Sequence, residues 1–224
     1  MEVSATASGP ISGLIDFPLL DASLVDDDIQ RGCELARREG FAAVIVRPCD
    51  LDQAARWVGS TVHLATVIDC AETTSVKGYA TRDAIRRGAR EIETVLNARK
   101  LRSRQFQYLE MELTQMAEAC HESGVRLKVH IESEYLDHEL KILACRIGRR
   151  AGIDCLATDS AADLPMLREY ARERFQLKFT GGVEGLDVLL AVRDAGCTRI
   201  EIADPMPLVA AWQASQEQIQ SAGS

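Results

Sequence analysis

The chain has 224 residues, of which 46% are hydrophobic and 27% charged, and its formal net charge is −8. This composition predicts one folded domain with a sizeable core and excludes a mostly disordered chain. The negative charge argues against nucleic acid or an anionic membrane as partner, because either requires a basic surface. No apolar run reaches the roughly 18 residues that a membrane span needs.

The cysteines point to a reducing compartment. There are seven, an odd number, scattered along the chain with no C-x-x-C pair, which argues against a disulfide framework or a zinc site. We interpret them as small buried thiols of a cytoplasmic protein. Residues 1–10 lack the basic and long apolar regions of a signal peptide and are expected to form a loose segment.

Short apolar runs alternate with charged helical stretches along the chain. Aspartates at 26–28 open the first helical stretch, where they favour the positive end of the helix dipole. Five glycines end such stretches, as expected where the residue after a helix needs a positive φ: Gly40, Gly88, Gly124, Gly152 and Gly196. The runs predict eight strands, at 14–16, 41–46, 63–68, 92–96, 125–131, 153–157, 177–180 and 198–203.

Strands that alternate with helices predict parallel pairing through right-handed crossovers. Eight units of about 28 residues suit an α/β fold of the (β/α)8 TIM-barrel type, a parallel eight-stranded barrel with outer helices. We expect the barrel over residues 11–219 and a tail over 220–224. A doubly wound open sheet is disfavoured because no G-x-G-x-x-G follows the first strand.

Polar residues recur on one face of several predicted strands. Lys128, His130 and Glu132 alternate with Val129 and Ile131, so the two sets face opposite sides of the strand. The same alternation groups Glu91 with Glu93 and Asn97, Lys178 with Thr180, and Glu201 with Ala203. Because unpaired charges inside a barrel are costly, four such strands predict a site at the carboxyl ends of the strands.

The ordered motifs resemble the deoxyribose-phosphate aldolase family from about residue 14 to 211. They are Leu-Ile-Asp at 14–16, Ala-Thr-Val-Ile at 65–68, Thr-Thr-Ser-Val-Lys at 73–77, Glu-Ile-Glu at 91–93, Leu-Lys-Val-His-Ile-Glu at 127–132 and Lys-Phe-Thr-Gly-Gly-Val at 178–183. The resemblance implies a class I aldolase on a (β/α)8 barrel that acts through a lysine Schiff base without a cofactor. It also implies a homodimer.

The chain departs from the family where the family's Schiff-base lysine lies. That strand-six stretch, lysine-threonine-serine-threonine-glycine in the family, reads Ala-Thr-Asp-Ser-Ala at 157–161, and Ala157 cannot form an imine. The family's second lysine matches Lys178, and its strand-four aspartate matches Glu93. The phosphate-binding glycines match Gly181 and Gly182, whereas the serines of that cradle are replaced by Ala203 and Asp204.

These departures predict that deoxyribose-phosphate cleavage is absent or very low. Asp159 and Asp204 put negative charge where a phosphate would lie, which favours an unphosphorylated substrate. Lys178 has lost a neighbouring cation, and Glu93, Glu132 and Glu201 would favour its protonated form. We therefore expect a weaker nucleophile, unless Lys128 lies close enough to replace the lost cation.

Four residues are the catalytic candidates, each with a structural alternative. Lys178 either forms an imine or clamps a carbonyl oxygen, and its alternative is an ion pair. Glu93 is the preferred general acid or base, with a pKa tuned toward neutrality, unless it is a salt-bridge partner. Lys128 either assists or neutralises Glu93. His130 either transfers a proton or is a satisfied core histidine.

The predicted substrate-binding set surrounds these residues: Asp16, Glu132, Asp159, Thr180, Gly181, Gly182, Glu201 and Asp204. Cys70 is interpreted as an inert wall of the site. A magnesium ion bound by the carboxylates is the less favoured alternative to a site with no metal.

The functional hypotheses are three. The first is an aldolase-type lyase or synthase that makes or breaks a C–C bond beside a carbonyl of a small molecule. The second is an acid–base isomerase, dehydratase or cyclase without a covalent intermediate. The third is a non-catalytic binding protein derived from an aldolase, which the buried charges disfavour.

Overall fold

Eight parallel strands form the closed barrel that the alternation predicts. The computed structural model describes residues 11–69, 71–171 and 174–222, so the predictions for 1–10, Cys70 and 223–224 lie outside the described residues. The strands are β1 Ile15–Leu19, β2 Ala43–Val46, β3 His63–Ile68, β4 Glu91–Val95, β5 Arg126–Ile131, β6 Cys155–Thr158, β7 Gln176–Phe179 and β8 Arg199–Glu201, paired in chain order with β8 closing on β1.

Helices follow the strands and cover the barrel. They are α1 Asp26–Glu39, α2 Leu51–Val58, α3 Thr74–Arg86, α4 Ala98–Arg102, α5 Phe106–His121, α6 His138–Ala151, α7 Leu164–Ala171, α8 Leu186–Asp194 and α9 Met206–Ala222. The last helix continues into the tail expected at 220–224. The five predicted helix-ending glycines all have positive φ, as at Gly40 (71°) and Gly152 (78°). No helix in the described part of the chain is long and apolar enough to cross a membrane.

The main apolar core lies between the strands and the helices, where Val44, Leu64, Ile92 and Leu127 are almost fully buried. A second, small apolar cluster consists of Ala43, Ile45 and Ala65, on β2 and β3. These three residues alternate along their strands with Val44 and Leu64, so they face the barrel axis. The interior is therefore apolar along most of β2 and β3, and, apart from His63 at the start of β3, its described ionisable groups come from the other strands.

Five of the six described cysteines are buried: Cys33, Cys120, Cys145, Cys155 and Cys197. Burial raises the pKa of each of these thiols to about 12, so they remain protonated and unreactive. Cys49 is exposed, and the prediction of a buried thiol is wrong there, because it lies in the short turn Pro48–Asp50 on the surface.

Candidate active site

The predicted polar faces meet inside the barrel as a layer of ion pairs. The Lys178 ammonium lies 2.8 Å from both carboxylate oxygens of Glu93, 2.8 Å from Glu201 Oε2 and 3.3 Å from Asp16 Oδ2. Lys178 and Asp16 are fully buried, whereas the side chains of Glu93 and Glu201 are 13% and 26% exposed. Glu93 and Glu201 are therefore the groups of this cluster that reach the barrel mouth.

A second ammonium lies deeper on the axis. Lys128 Nζ is 2.7 Å from Asp16 Oδ2 and 3.1 Å from Glu93 Oε1, and it also contacts Glu91. Asp16, Glu91 and Glu93 have carboxylate oxygens within 4.8 Å of one another, a spacing that could hold a metal ion. They converge on Lys128 Nζ, so an ammonium already supplies the positive charge that a metal would bring there.

Arg199 supports this layer from β8. Its Nε donates to Asp16 Oδ1 at 2.6 Å, and its two terminal nitrogens donate to Glu91 at 3.0 and 3.1 Å. At the base of the barrel, Glu91 also contacts Arg126 and lies 3.2 Å from His63 Nδ1. We did not single out Arg199 from the sequence, although it shares the strand parity of Glu201 and the same alternation could have found it.

The pKa directions show which of these groups are charged. Burial alone would lower the pKa of Lys178, but Glu93, Asp16 and Glu201 outweigh it and raise the pKa. Burial alone would raise the pKa of Glu93, but the Lys178 and Lys128 cations outweigh it and lower the pKa. The expectation that Glu93 is tuned toward neutrality is therefore wrong, because two ammonium groups lie within 3.1 Å of its carboxylate.

Lys128 does not restore the nucleophilicity of Lys178. Burial lowers the pKa of Lys128, but Glu93, Asp16 and Glu91 raise it beyond its ordinary value. Burial alone would raise the pKa of Asp16. The cations of Lys128, Lys178 and Arg199 outweigh burial, so the pKa of Asp16 is lowered. Both lysines are thus held as ammonium ions among carboxylates.

A cavity of about 330 Å³ opens above this layer at the carboxyl ends of the strands. Its walls are Leu20, Val67, Glu93, Thr94, Val95, His130, Asp159, Thr180 and Glu201. His130 Nε2 lies 3.1 Å from Thr180 Oγ1. Burial lowers the pKa of His130 despite the opposing charge of Asp159, so the imidazole is neutral near pH 7. His130 is the titratable group of this cavity suited to proton transfer.

Residue 157 on β6 faces the same interior, but it is an alanine and has no amine. Ala157 pairs in register with His130 on one side and Lys178 on the other, and it is 2% exposed. Gly181 packs against the neighbouring loop, and a Cβ built there would come within 2.5 Å of the Asp159 carbonyl oxygen. Glycine at this position therefore allows the loops after β6 and β7 to approach closely.

Five of the twelve predicted site residues line the mouth cavity: Glu93, His130, Asp159, Thr180 and Glu201. Lys178 lies beneath it, and Gly181 packs beside it without lining it. Asp16 and Lys128 lie below the cavity, which places them to orient other groups rather than to touch substrate. Asp204 and Gly182 are exposed and are not among the described residues that line the cavity. Glu132 lines a neighbouring cavity instead, because β5 ends at Ile131 and the strand alternation no longer applies.

A parallel barrel with ionisable groups at the carboxyl ends of its strands defines an enzyme site. The chain is 32% identical over 216 residues to deoxyribose-phosphate aldolase of Caldanaerobacter subterraneus, covering 91% of this chain and 94% of the relative. It is 31% identical over 215 residues to that of Bacteroides thetaiotaomicron, covering 91% and 90%. The chain therefore belongs to the deoxyribose-phosphate aldolase family and is an aldolase-type lyase, as the motifs indicate.

Solved structures confirm the fold. The aldolase QR15 has a TM-score of 0.86 at 23% identity, with 92% of this chain and 97% of that chain covered. A tetrameric deoxyribose phosphate aldolase from Aeropyrum pernix has a TM-score of 0.80 at 20% identity, with 91% of each chain covered. A search of family models found no match.

Proposed function

We propose that the protein makes or breaks a C–C bond beside the carbonyl of a small unphosphorylated molecule, without an imine on Lys178. The observation that carries this proposal is that neither residue 157 nor residue 178 offers a free, unprotonated amine. Ala157 has none, and the Lys178 ammonium contacts Glu93, Glu201 and Asp16. An amine must lose its proton before it attacks a carbonyl, and three carboxylates oppose that loss.

His130 is the proton carrier in this proposal. In the cleavage direction, neutral His130 takes the proton of the β-hydroxyl group, the bond between the α- and β-carbons breaks, the β-carbon becomes the carbonyl carbon of one product, and the electron pair passes to the other carbonyl as an enolate. Protonated His130 then gives its proton to the enolate carbon, so two carbonyl products leave and His130 is neutral again. Glu93 and Glu201 accept hydrogen bonds from substrate hydroxyls, and the Lys178 cation beneath them offsets part of their charge, so the singly charged enolate meets less repulsion.

The charge of the cavity supports an unphosphorylated substrate. Glu93, Asp159 and Glu201 line it, and the described lining includes no lysine or arginine. Two like unit charges about 6 Å apart repel by about 3 kcal/mol at an effective dielectric constant of about 20. A doubly charged phosphate would therefore be opposed more strongly than a singly charged group, even though Lys178 offsets part of the charge of Glu93 and Glu201. A dehydratase or isomerase is the second candidate, because a neutral histidine beside carboxylates can also remove a proton next to a carbonyl.

The test is proton exchange and bond cleavage with unphosphorylated hydroxyaldehydes and hydroxyketones in D2O, followed by NMR. We expect deuterium to enter beside the carbonyl, and the rate to fall about 100-fold or more in His130→Gln. The rate should persist below pH 6.5, because the pKa of His130 is lowered from that value. His138→Gln, which changes an exposed histidine at the start of α6, is the matched control.

Two results would overturn the proposal. One is robust cleavage of deoxyribose 5-phosphate by the purified protein. The other is a borohydride-trapped adduct with a carbonyl compound that intact mass detects in the wild-type protein and not in Lys178→Met. Elimination of water without C–C cleavage would instead support the dehydratase.

A further inference from the structure

A second cavity of about 440 Å³ lies beside the mouth, between the loops that follow β4 and β5. Asn97, Arg99, Arg102, Glu132 and Tyr135 line it. Its walls continue those of the mouth cavity, because Asn97 follows Val95 by two residues and Glu132 follows His130 by two residues. Val95 and His130 themselves line the mouth, so the two cavities adjoin along the ends of the same two strands.

The charge of this second cavity is opposite to that of the mouth. Arg99 and Arg102 are three residues apart on α4, so their guanidinium groups lie on the same side of the helix. Both residues are exposed, and within the described ranges no carboxylate oxygen comes within 4.0 Å of either group. Glu132 is the one carboxylate in the described lining, so the arginines outnumber it.

We infer that the second cavity binds a carboxylate of the substrate whose carbonyl lies in the mouth. A planar carboxylate matches the paired N–H donors of a guanidinium group. It carries one charge, and Glu132 therefore repels it less than it repels a doubly charged phosphate. This inference rests on the proposed function for the carbonyl end of the ligand, whereas the carboxylate end can be tested by itself.

The step between the two cavities limits the length of such a ligand. Two residues span at most about 7 Å of chain, and His130 of the mouth cavity and Glu132 of the second cavity are two residues apart. A carbonyl and a carboxylate separated by four methylene groups span a similar distance when extended. 6-Oxoheptanoate has this spacing, and 2-heptanone is the matching ketone without the carboxylate.

The experiment compares the affinities of these two probes for the purified full chain by NMR titration. We expect 6-oxoheptanoate to bind about tenfold or more tightly than 2-heptanone, as charge-assisted hydrogen bonds to arginine imply. The double variant Arg99→Gln/Arg102→Gln should remove that difference. Lys100→Gln is the matched control, because it removes a positive charge from the same helix at a side chain that lies over the Tyr108 ring, 4.9 Å from its centre.

A second substitution should change the affinity in the opposite direction. Glu132→Gln removes the carboxylate of the cavity and should tighten 6-oxoheptanoate binding severalfold. Equal affinities of the two probes for the wild-type protein would overturn the inference, and so would a preference that survives in the double variant. Tighter binding of 5-oxohexyl phosphate than of 6-oxoheptanoate would overturn the choice of a carboxylate.

These outcomes are separable from those of the proposed function. Selective binding of 6-oxoheptanoate without any exchange of its protons beside the carbonyl would support the carboxylate site and count against the proposed chemistry. Proton exchange that depends on His130 but does not depend on the carboxylate of the probe would support the proposed chemistry and count against the carboxylate site.

Discussion

The clearest quantitative prediction concerns Arg199, which lies below the site and does not line either cavity among the described residues. Its side chain is 6% exposed and makes hydrogen bonds of 2.6 Å to Asp16 and of 3.0 and 3.1 Å to Glu91. Arg199→Met keeps an unbranched side chain but removes the guanidinium. Asp16 and Glu91 would then share fewer cations in a site from which water is excluded.

The expected loss follows from burial. Removing one partner of a buried ion pair costs about 3–5 kcal/mol, because the other charge remains buried and less well compensated. In a domain of this size 1 kcal/mol shifts the melting temperature by about 2–4 °C, so the loss corresponds to about 10 °C. Urea unfolding should show a lower midpoint with an unchanged slope.

The matched control is Arg31→Met on α1. Arg31 pairs with Asp28 at 2.5 Å, but its side chain is 68% exposed, and exposed pairs contribute about 0.5 kcal/mol. A double-mutant cycle that combines Arg199→Met with Glu91→Gln should show coupling. Arg199→Met leaves the Glu91 carboxylate with one cation fewer, and Glu91→Gln removes that carboxylate. A cost below about 1 kcal/mol for Arg199→Met, or strict additivity in the cycle, would refute the reasoning.

Two further predictions concern the same layer. Ala157→Lys should gain a borohydride-trapped adduct with acetaldehyde, which intact mass would detect. The reason is that the neighbouring Lys178 cation disfavours a second positive charge and keeps the new amine unprotonated and reactive. Absence of the adduct would contradict the inward placement of residue 157. The free energy of unfolding should fall as the pH drops below about 4, because the pKa values of Asp16, Glu91 and Glu93 are lowered in the folded state. Their stabilisation is present above the unfolded-state pKa and is lost as the pH falls through the folded-state values; urea midpoints measured from pH 7 to pH 3 check this, and a flat profile would contradict it.

The sequence was sufficient to predict the barrel and the inward polar faces. The β3 prediction matches His63–Ile68, and the predicted β5 differs by one residue at its start. These runs are long, apolar and bounded by turns, which is where periodicity is most informative. The predicted β8, at 198–203, is too long, because Ile202 lies past the end of the strand although it is buried, and Ala203 is exposed.

The partners inside the barrel could not be predicted in the same way. Alternation assigns Glu93 to the interior, but its pKa depends on two lysines from strands 35 and 85 positions further along the chain. Their distances follow from the barrel closing, which composition and periodicity do not give. Glu132 shows the same limit, because the alternation holds only while the strand continues and β5 ends one residue earlier.

Alanine at position 157 has two consequences close to the mouth cavity. It offers no amine that could form an imine. It also places no cation beside its register partner Lys178, which faces Glu93 and Glu201. Residue 157 thus supplies no nucleophile, and nothing there opposes the protonated form of Lys178. For an imine mechanism to operate here, Lys178 would have to leave two carboxylates at 2.8 Å, whereas a mechanism that uses its charge needs no such movement.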